Sequence, residues 1–140
     1  MTTSMRDDLI SHIGIAVTDL EKSIRSYELL TASRVGAISE VADQKVRVAM
    51  FGGHGRARIE LVAPTSPDSP IARFLQRRGE GLHHVCVYVD DLDKRLSELR
   101  AAGVRLIDEQ PRVGADGNRI AFVHPSGAGG VLVELEERAT

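Results

Sequence analysis

Two stretches of the chain alternate apolar and other residues with a period of two, then switch to a helical spacing. The first is "HIGIAVTDLEKSI" (12–24) and the second "HVCVYVDDLDKRL" (84–96). In each, the alternation predicts a strand. An acidic residue before leucine follows, and apolar positions three or four apart then predict an amphipathic helix. Asp19 and Asp91 stand where a helix N-cap is expected, with Glu21 and Asp93 placed in the favourable first turn.

The two stretches are one pattern written twice. They superpose at an offset of 72 residues, matching His12 with His84, Asp19-Leu20 with Asp91-Leu92 and Lys22 with Lys94. The later parts also correspond. "KVRVAMF" (45–51) passes through "GGHG" into "RIELVAP" (58–64), and "NRIAFVHP" (118–125) passes through "SGAGG" into "VLVELEE" (131–137). Both pairs read as β-hairpins. Weaker strands are expected near 35–41 and 104–108, so each half reads β-α-β-β-β. "SPDSPIARFLQRRGEG" (66–81) joins the halves and is expected to carry a short helix. The boundaries are module 1 at about 9–65, the linker at 66–80 and module 2 at about 81–138, all within a single domain of 1–140. Neither half holds a full core of its own, so the halves are expected to share one sheet system of the α+β class.

Composition narrows the function. The 140 residues carry a net charge of −2, with fifteen arginines scattered among three lysines, so no basic face marks a nucleic-acid partner. No apolar run nears the roughly 20 residues of a membrane helix. "MTTSMRDDLI" lacks the apolar core of a secretory signal. The lone cysteine, Cys86, cannot form an internal disulfide and suits a reducing cytosol. The expectation is a compact cytoplasmic protein that binds neither nucleic acid nor membrane.

The repeat also isolates candidate chemistry. Alternation places His12 with Gly14 and Ala16, opposite Ile13, Ile15 and Val17. His84 falls with Cys86 and Tyr88. Glu60 alternates away from Ile59 and Leu61, and Glu134 away from Val133 and Leu135. Taken singly, a strand histidine is more often solvated or hydrogen-bonded, and a strand glutamate more often lies on a wet face. Duplication of both at corresponding places turns the balance toward two imidazoles and two carboxylates around a divalent metal. That mixed set suits zinc, cobalt, nickel, manganese or iron(II). His83 has Ser11 as its counterpart and reads as pocket wall. His54 lies in a glycine-rich turn and is expected to be exposed. Cys86 is expected to line the cavity. "PRVGADGNR" (111–119) reads as a flexible polar loop, either plain or a phosphate-contacting lid.

Taken together, "HIGIAVTDLEKS", "IELVAP", "SPIARFL", "GEGLHHVCVYVDD", "IDE.PR.GADG", "IAFVHP" and "GGVLVELEE" resemble the methylmalonyl-CoA epimerase family. That family belongs to the vicinal oxygen chelate superfamily, with glyoxalase I and extradiol dioxygenases. The resemblance spans about residues 10–137. It implies two βαβββ modules in a cupped mixed sheet, a homodimer, and metal ligands at His12, Glu60, His84 and Glu134. It implies cobalt as the ion before zinc, nickel, manganese or magnesium, and methylmalonyl-CoA or a similar acyl-CoA as substrate. It also implies proton transfer by Glu134 and by the acid preceding Gln44, and substrate contacts from His83, Gln44, Gly114, His124 and Ser126.

The chain departs from the family at three places. The acid before Gln44 is Asp43 rather than glutamate, Ser126 replaces a common lysine after "HP", and "YELLTASRVGAISE" lacks the usual Leu-Gly. Aspartate is shorter by about 1 Å, a displacement that can cost on the order of 100-fold in rate; Glu40 is the alternative acid. Other readings are an epimerase of another 2-substituted malonyl-CoA, a glyoxalase I-like enzyme, and a non-enzymatic binding protein of the same fold.

Overall fold

The computed structural model describes residues 9–53 and 56–139, and His54 lies outside the described residues. The elements run β1 (Ile10–Ala16), α1 (Leu20–Thr31), β2 (Ile38–Val41), β3 (Val46–Phe51), β4 (Arg58–Pro64), α2 (Pro70–Arg78), β5 (Gly81–Val89), α3 (Leu92–Ala101), β6 (Arg112–Val113), β7 (Arg119–Val123) and β8 (Val133–Glu137). They fall into two compact units. One is Ile13–His83; the other joins the described residues up to His12 with those from His84 onward. The boundary passes through β1 after His12 and through β5 after His83.

In the Ile13–His83 unit the strand order is β2-β3-β4-β1, and in the other it is β1-β5-β8-β7-β6, so β1 serves both. The β3–β4 hairpin is antiparallel, from Val46 opposite Pro64 to Phe51 opposite Ile59. In the second unit β5 and β8 run parallel, with Cys86 opposite Glu134, while β7 and β8 run antiparallel, with Phe122 opposite Glu134. The sheet is therefore mixed.

The repeat reappears in the packing. α1 lays Leu20 and Ile24 on Ala49, Phe51 and Leu61; α3 lays Leu92 and Leu96 on Ala121, Val123 and Leu135. The same apolar periodicity thus builds a separate core in each unit. The caps repeat as well. Asp19 Oδ1 accepts the Lys22 N–H at 3.1 Å, and Asp91 Oδ1 accepts the Lys94 N–H at 3.1 Å. Asp19→Ala and Asp91→Ala are each expected to lower stability by about 1 kcal/mol, read as a shifted urea midpoint at unchanged slope.

The linker helix forms at α2. Ser69 Oγ accepts the Ile71 N–H and Pro70 supplies the first helical φ. The strand expected near 35–41 forms as β2. The strand expected near 104–108 does not form. Leu106 makes a single bridge to Val123, and the third strand of that half is the two-residue β6. The cause is Asp108, whose Oδ2 accepts the Phe122 N–H at 2.8 Å, the bond a strand would have made with its backbone. The loop expected at 111–119 is instead a short hairpin, with Arg112 opposite Ile120 and Val113 opposite Arg119. Among the described residues no helix is long and apolar enough to cross a membrane.

Candidate metal centre

Three strands of the second unit carry a compact set of donors. His12 on β1, His84 on β5 and Glu134 on β8 are buried, with 4%, 6% and 6% of their surface exposed. His12 Nε2 lies 3.1 Å from His84 Nε2 and 3.1 Å from Glu134 Oε1, and His84 Nε2 lies 3.2 Å from the same oxygen. Two imidazole nitrogens and a carboxylate oxygen at this spacing must have a proton or a cation among them. Neighbouring donors around an octahedral ion with bonds of about 2.1 Å stand about 3.0 Å apart, against about 3.4 Å for a tetrahedral ion. The observed triangle fits one face of the former, so the residues suit a divalent ion.

Local structure holds each donor in place. Opposite Glu134 stands Phe122, and its ring meets the His84 ring edge-on, 5.8 Å between centroids. The guanidinium of Arg112 caps that phenyl ring at 5.6 Å. The two imidazoles themselves meet edge-on at 5.2 Å. Burial pushes the Glu134 carboxyl up, but hydrogen bonds and charge from His12 and His84 overcome it and hold it at about 2.

A second buried carboxylate, Glu136, follows two residues later on the same face of β8. It is 1% exposed. Ser11 Oγ donates to its Oε1 at 2.7 Å and Asn118 Nδ2 donates to its Oε2 at 2.7 Å. Burial raises its carboxyl, and the bonds from Ser11 and Asn118 oppose that rise. Neither Glu136, Ser11 nor Asn118 was expected at the site. Alternation along "VELEE" did put Glu136 beside Glu134, which is the signal that would have found it.

Cys86 joins His12 and Glu134 in a further group of close donor atoms. Its thiol is pushed far up by burial first, then by the charges of Glu134 and Glu136. Only thiolate reacts with disulfide reagents. Cys86 is therefore expected to react with Ellman's reagent at pH 8 at least about 100-fold more slowly in the folded protein than in urea, followed by absorbance.

The remaining expected site residues occupy these places. Glu60 is buried on β4 of the Ile13–His83 unit, opposite Met50. In the same unit, Asp43 and Gln44 form the 3₁₀ turn between β2 and β3, Asp43 exposed and Gln44 half-buried. His83 meets Phe74 edge-on at 4.9 Å. In the other unit, Gly114 N–H bonds the Asn118 carbonyl, and a Cβ at Gly114 would press on Ile120 at 3.0 Å. His124 Nδ1 accepts the Ser126 N–H at 3.0 Å, capping the turn Pro125–Gly127. Gly114, His124 and Ser126 therefore have local structural work.

A duplicated β-α-β-β-β chain carrying a buried His/His/Glu donor set able to hold a metal ion has the features of a known class. Residues 11–122 match the Glyoxalase/Bleomycin resistance protein/Dioxygenase superfamily, and the chain belongs to it. Within that class its relatives include acyl-CoA epimerases. The chain is 38% identical over 129 residues to the mitochondrial methylmalonyl-CoA epimerase of Bos taurus, spanning 91% of this chain and 73% of the relative. It is 37% identical over 130 residues to the ethylmalonyl-CoA/methylmalonyl-CoA epimerase of Cereibacter sphaeroides, covering 91% and 96%. The crystal structure of methylmalonyl-CoA epimerase from Mycobacterium tuberculosis superposes with a TM-score of 0.88 at 40% identity, covering 100% of this chain and 93% of that one.

Proposed function

We propose that this protein is a metal-dependent epimerase that interconverts the 2R and 2S forms of methylmalonyl-CoA. The observation that carries the reading is the His12–His84–Glu134 donor triangle, in a chain several of whose relatives are named for that reaction. His12, His84, Glu134 and Glu60 are the proposed ligands. A divalent ion held there, cobalt first among the candidates, supplies positive charge that favours an enolate over the neutral thioester.

The residues do the rest. The C2 hydrogen of the substrate lies between a carboxylate and a thioester carbonyl, which makes it acidic. Glu134 Oε1 is the atom in the donor triangle, and Oε2 is assigned to proton transfer at C2 on one face. Asp43 is assigned to the opposite face, so that one carboxyl removes the proton and the other returns one with inversion. Gln44, His83, Gly114, His124 and Ser126 are proposed to contact the acyl-CoA. The name of the C. sphaeroides relative also favours ethylmalonyl-CoA as a second substrate. A homodimer working in the cytoplasm completes the proposal; the lone buried thiol suits that compartment.

The test is exchange of the C2 proton of methylmalonyl-CoA in deuterated water, with cobalt added. Fast exchange that a chelator abolishes is expected. Absence of exchange while cobalt is demonstrably bound would overturn the substrate and leave the metal centre standing.

A further inference from the structure

Among the described residues Glu136 is the most buried carboxylate of its unit, and the reaction proposed above gives it no task. Leaving a carboxylate 1% exposed without a cation at hand is costly. Its neighbours show what that burial accomplishes. Ser11 Oγ, Asn118 Nδ2 and, at 3.6 Å, Cys86 Sγ all direct protons at it, so both of its oxygens act as acceptors.

The Ser11 hydroxyl has one proton, and at 2.7 Å that proton goes to Glu136 Oε1. The same hydroxyl oxygen lies 3.0 Å from His12 Nδ1. Having given its proton away, it can only accept from that nitrogen. His12 must therefore carry a proton on Nδ1, so Nε2, which faces His84 and Glu134, is the nitrogen left to take a metal. Glu136 is itself 3.9 Å from Nδ1, so the hydroxyl is the link between them.

We infer that Glu136 and Ser11 are positioning residues that set the tautomer of His12, through the chain His12 Nδ1–H to Ser11 Oγ–H to Glu136. Histidine ligands commonly donate their second ring N–H to a carboxylate, which fixes the ring and strengthens the donor. Here a serine hydroxyl is interposed. Asn118 holds the far oxygen of Glu136 and sets its plane. The inference rests on the reading of His12 as a metal ligand. It adds two residues that touch neither metal nor substrate.

The test is carried out on the full chain, metal-free and labelled with ¹⁵N-histidine. Ring nitrogen shifts of the wild type are expected to report a proton held on His12 Nδ1, and those of Ser11→Ala and Glu136→Gln to show the Nε2–H form that predominates in water. Calorimetric titration with cobalt is expected to show affinity about 10- to 100-fold weaker in either variant. The double variant should be no weaker than the singles by more than about threefold, because both act through one chain. Ser11→Thr keeps the hydroxyl and should keep the tautomer.

An Nε2–H tautomer in the wild type would overturn the inference without any variant, so a variant that does not fold cannot shelter it. Unchanged tautomer and affinity in folded variants would overturn it equally. Wild-type protein that binds no cobalt would instead overturn the metal reading, and the tautomer in the same sample would judge the relay separately.

Discussion

Glu134→Gln is expected to slow epimerisation by about 10⁴-fold, the upper range for loss of a positioned acid or base. The substitution keeps the shape of the side chain but can neither take nor return a proton, and it removes the negative charge that faces both imidazoles at 3.1 and 3.2 Å. Isotope exchange at C2 reads the first loss, and cobalt affinity reads the second. His84→Ala should also abolish turnover, but through weakened metal binding, so a high cobalt concentration should restore part of its activity and none of the glutamine variant's. Near-normal epimerisation in both variants would sink the assignment.

The same substitution has a pH signature in the metal-free protein. Glu134 titrates at about 2 when folded, below its ordinary value. Its stabilising contribution is therefore present above the ordinary carboxylate range and is lost as pH falls toward about 2. Urea denaturation should find the glutamine variant weaker than wild type at pH 7, with the gap narrowing through the acid range.

Much of this arrangement was legible because the chain states it twice. His12 and His84, Asp19 and Asp91, Leu20 and Leu92 each occupy equivalent places, and the pairing separated two strand histidines from ordinary ones. The alternation of β1 correctly set His12 apart from Ile13, but it could not say which face is covered. The structure buries His12, Gly14 and Ala16 and leaves Ile13 37% exposed, against what hydropathy alone suggests. The missing strand near 104–108 had no local signal, since an aspartate side chain replaces a backbone ladder bond. Ser11 and Glu136 escaped for a different reason. Their hydrogen bond joins residues 125 positions apart, so no local pattern links the serine of β1 to the glutamate that alternation alone put beside Glu134.

Asp43→Asn is expected to abolish epimerisation, by about 10²- to 10⁴-fold, while leaving cobalt affinity unchanged. The two-carboxyl reading makes a sharper demand than loss of rate. A base on one face can still remove the C2 proton of the epimer that presents it and return a deuteron to the same face. Asp43→Asn should therefore exchange one epimer of methylmalonyl-CoA in deuterated water without inverting it, and leave the other untouched. Separate incubations of the 2R and 2S thioesters, followed by proton NMR and a chiral assay, distinguish the cases. Asp43 occupies an exposed turn that follows β2, where Glu40 pairs with Arg47. If Asp43→Asn still inverts both epimers, Glu40→Gln is the variant that should then lose inversion, and the shorter acid before Gln44 would have no part in the proton transfer.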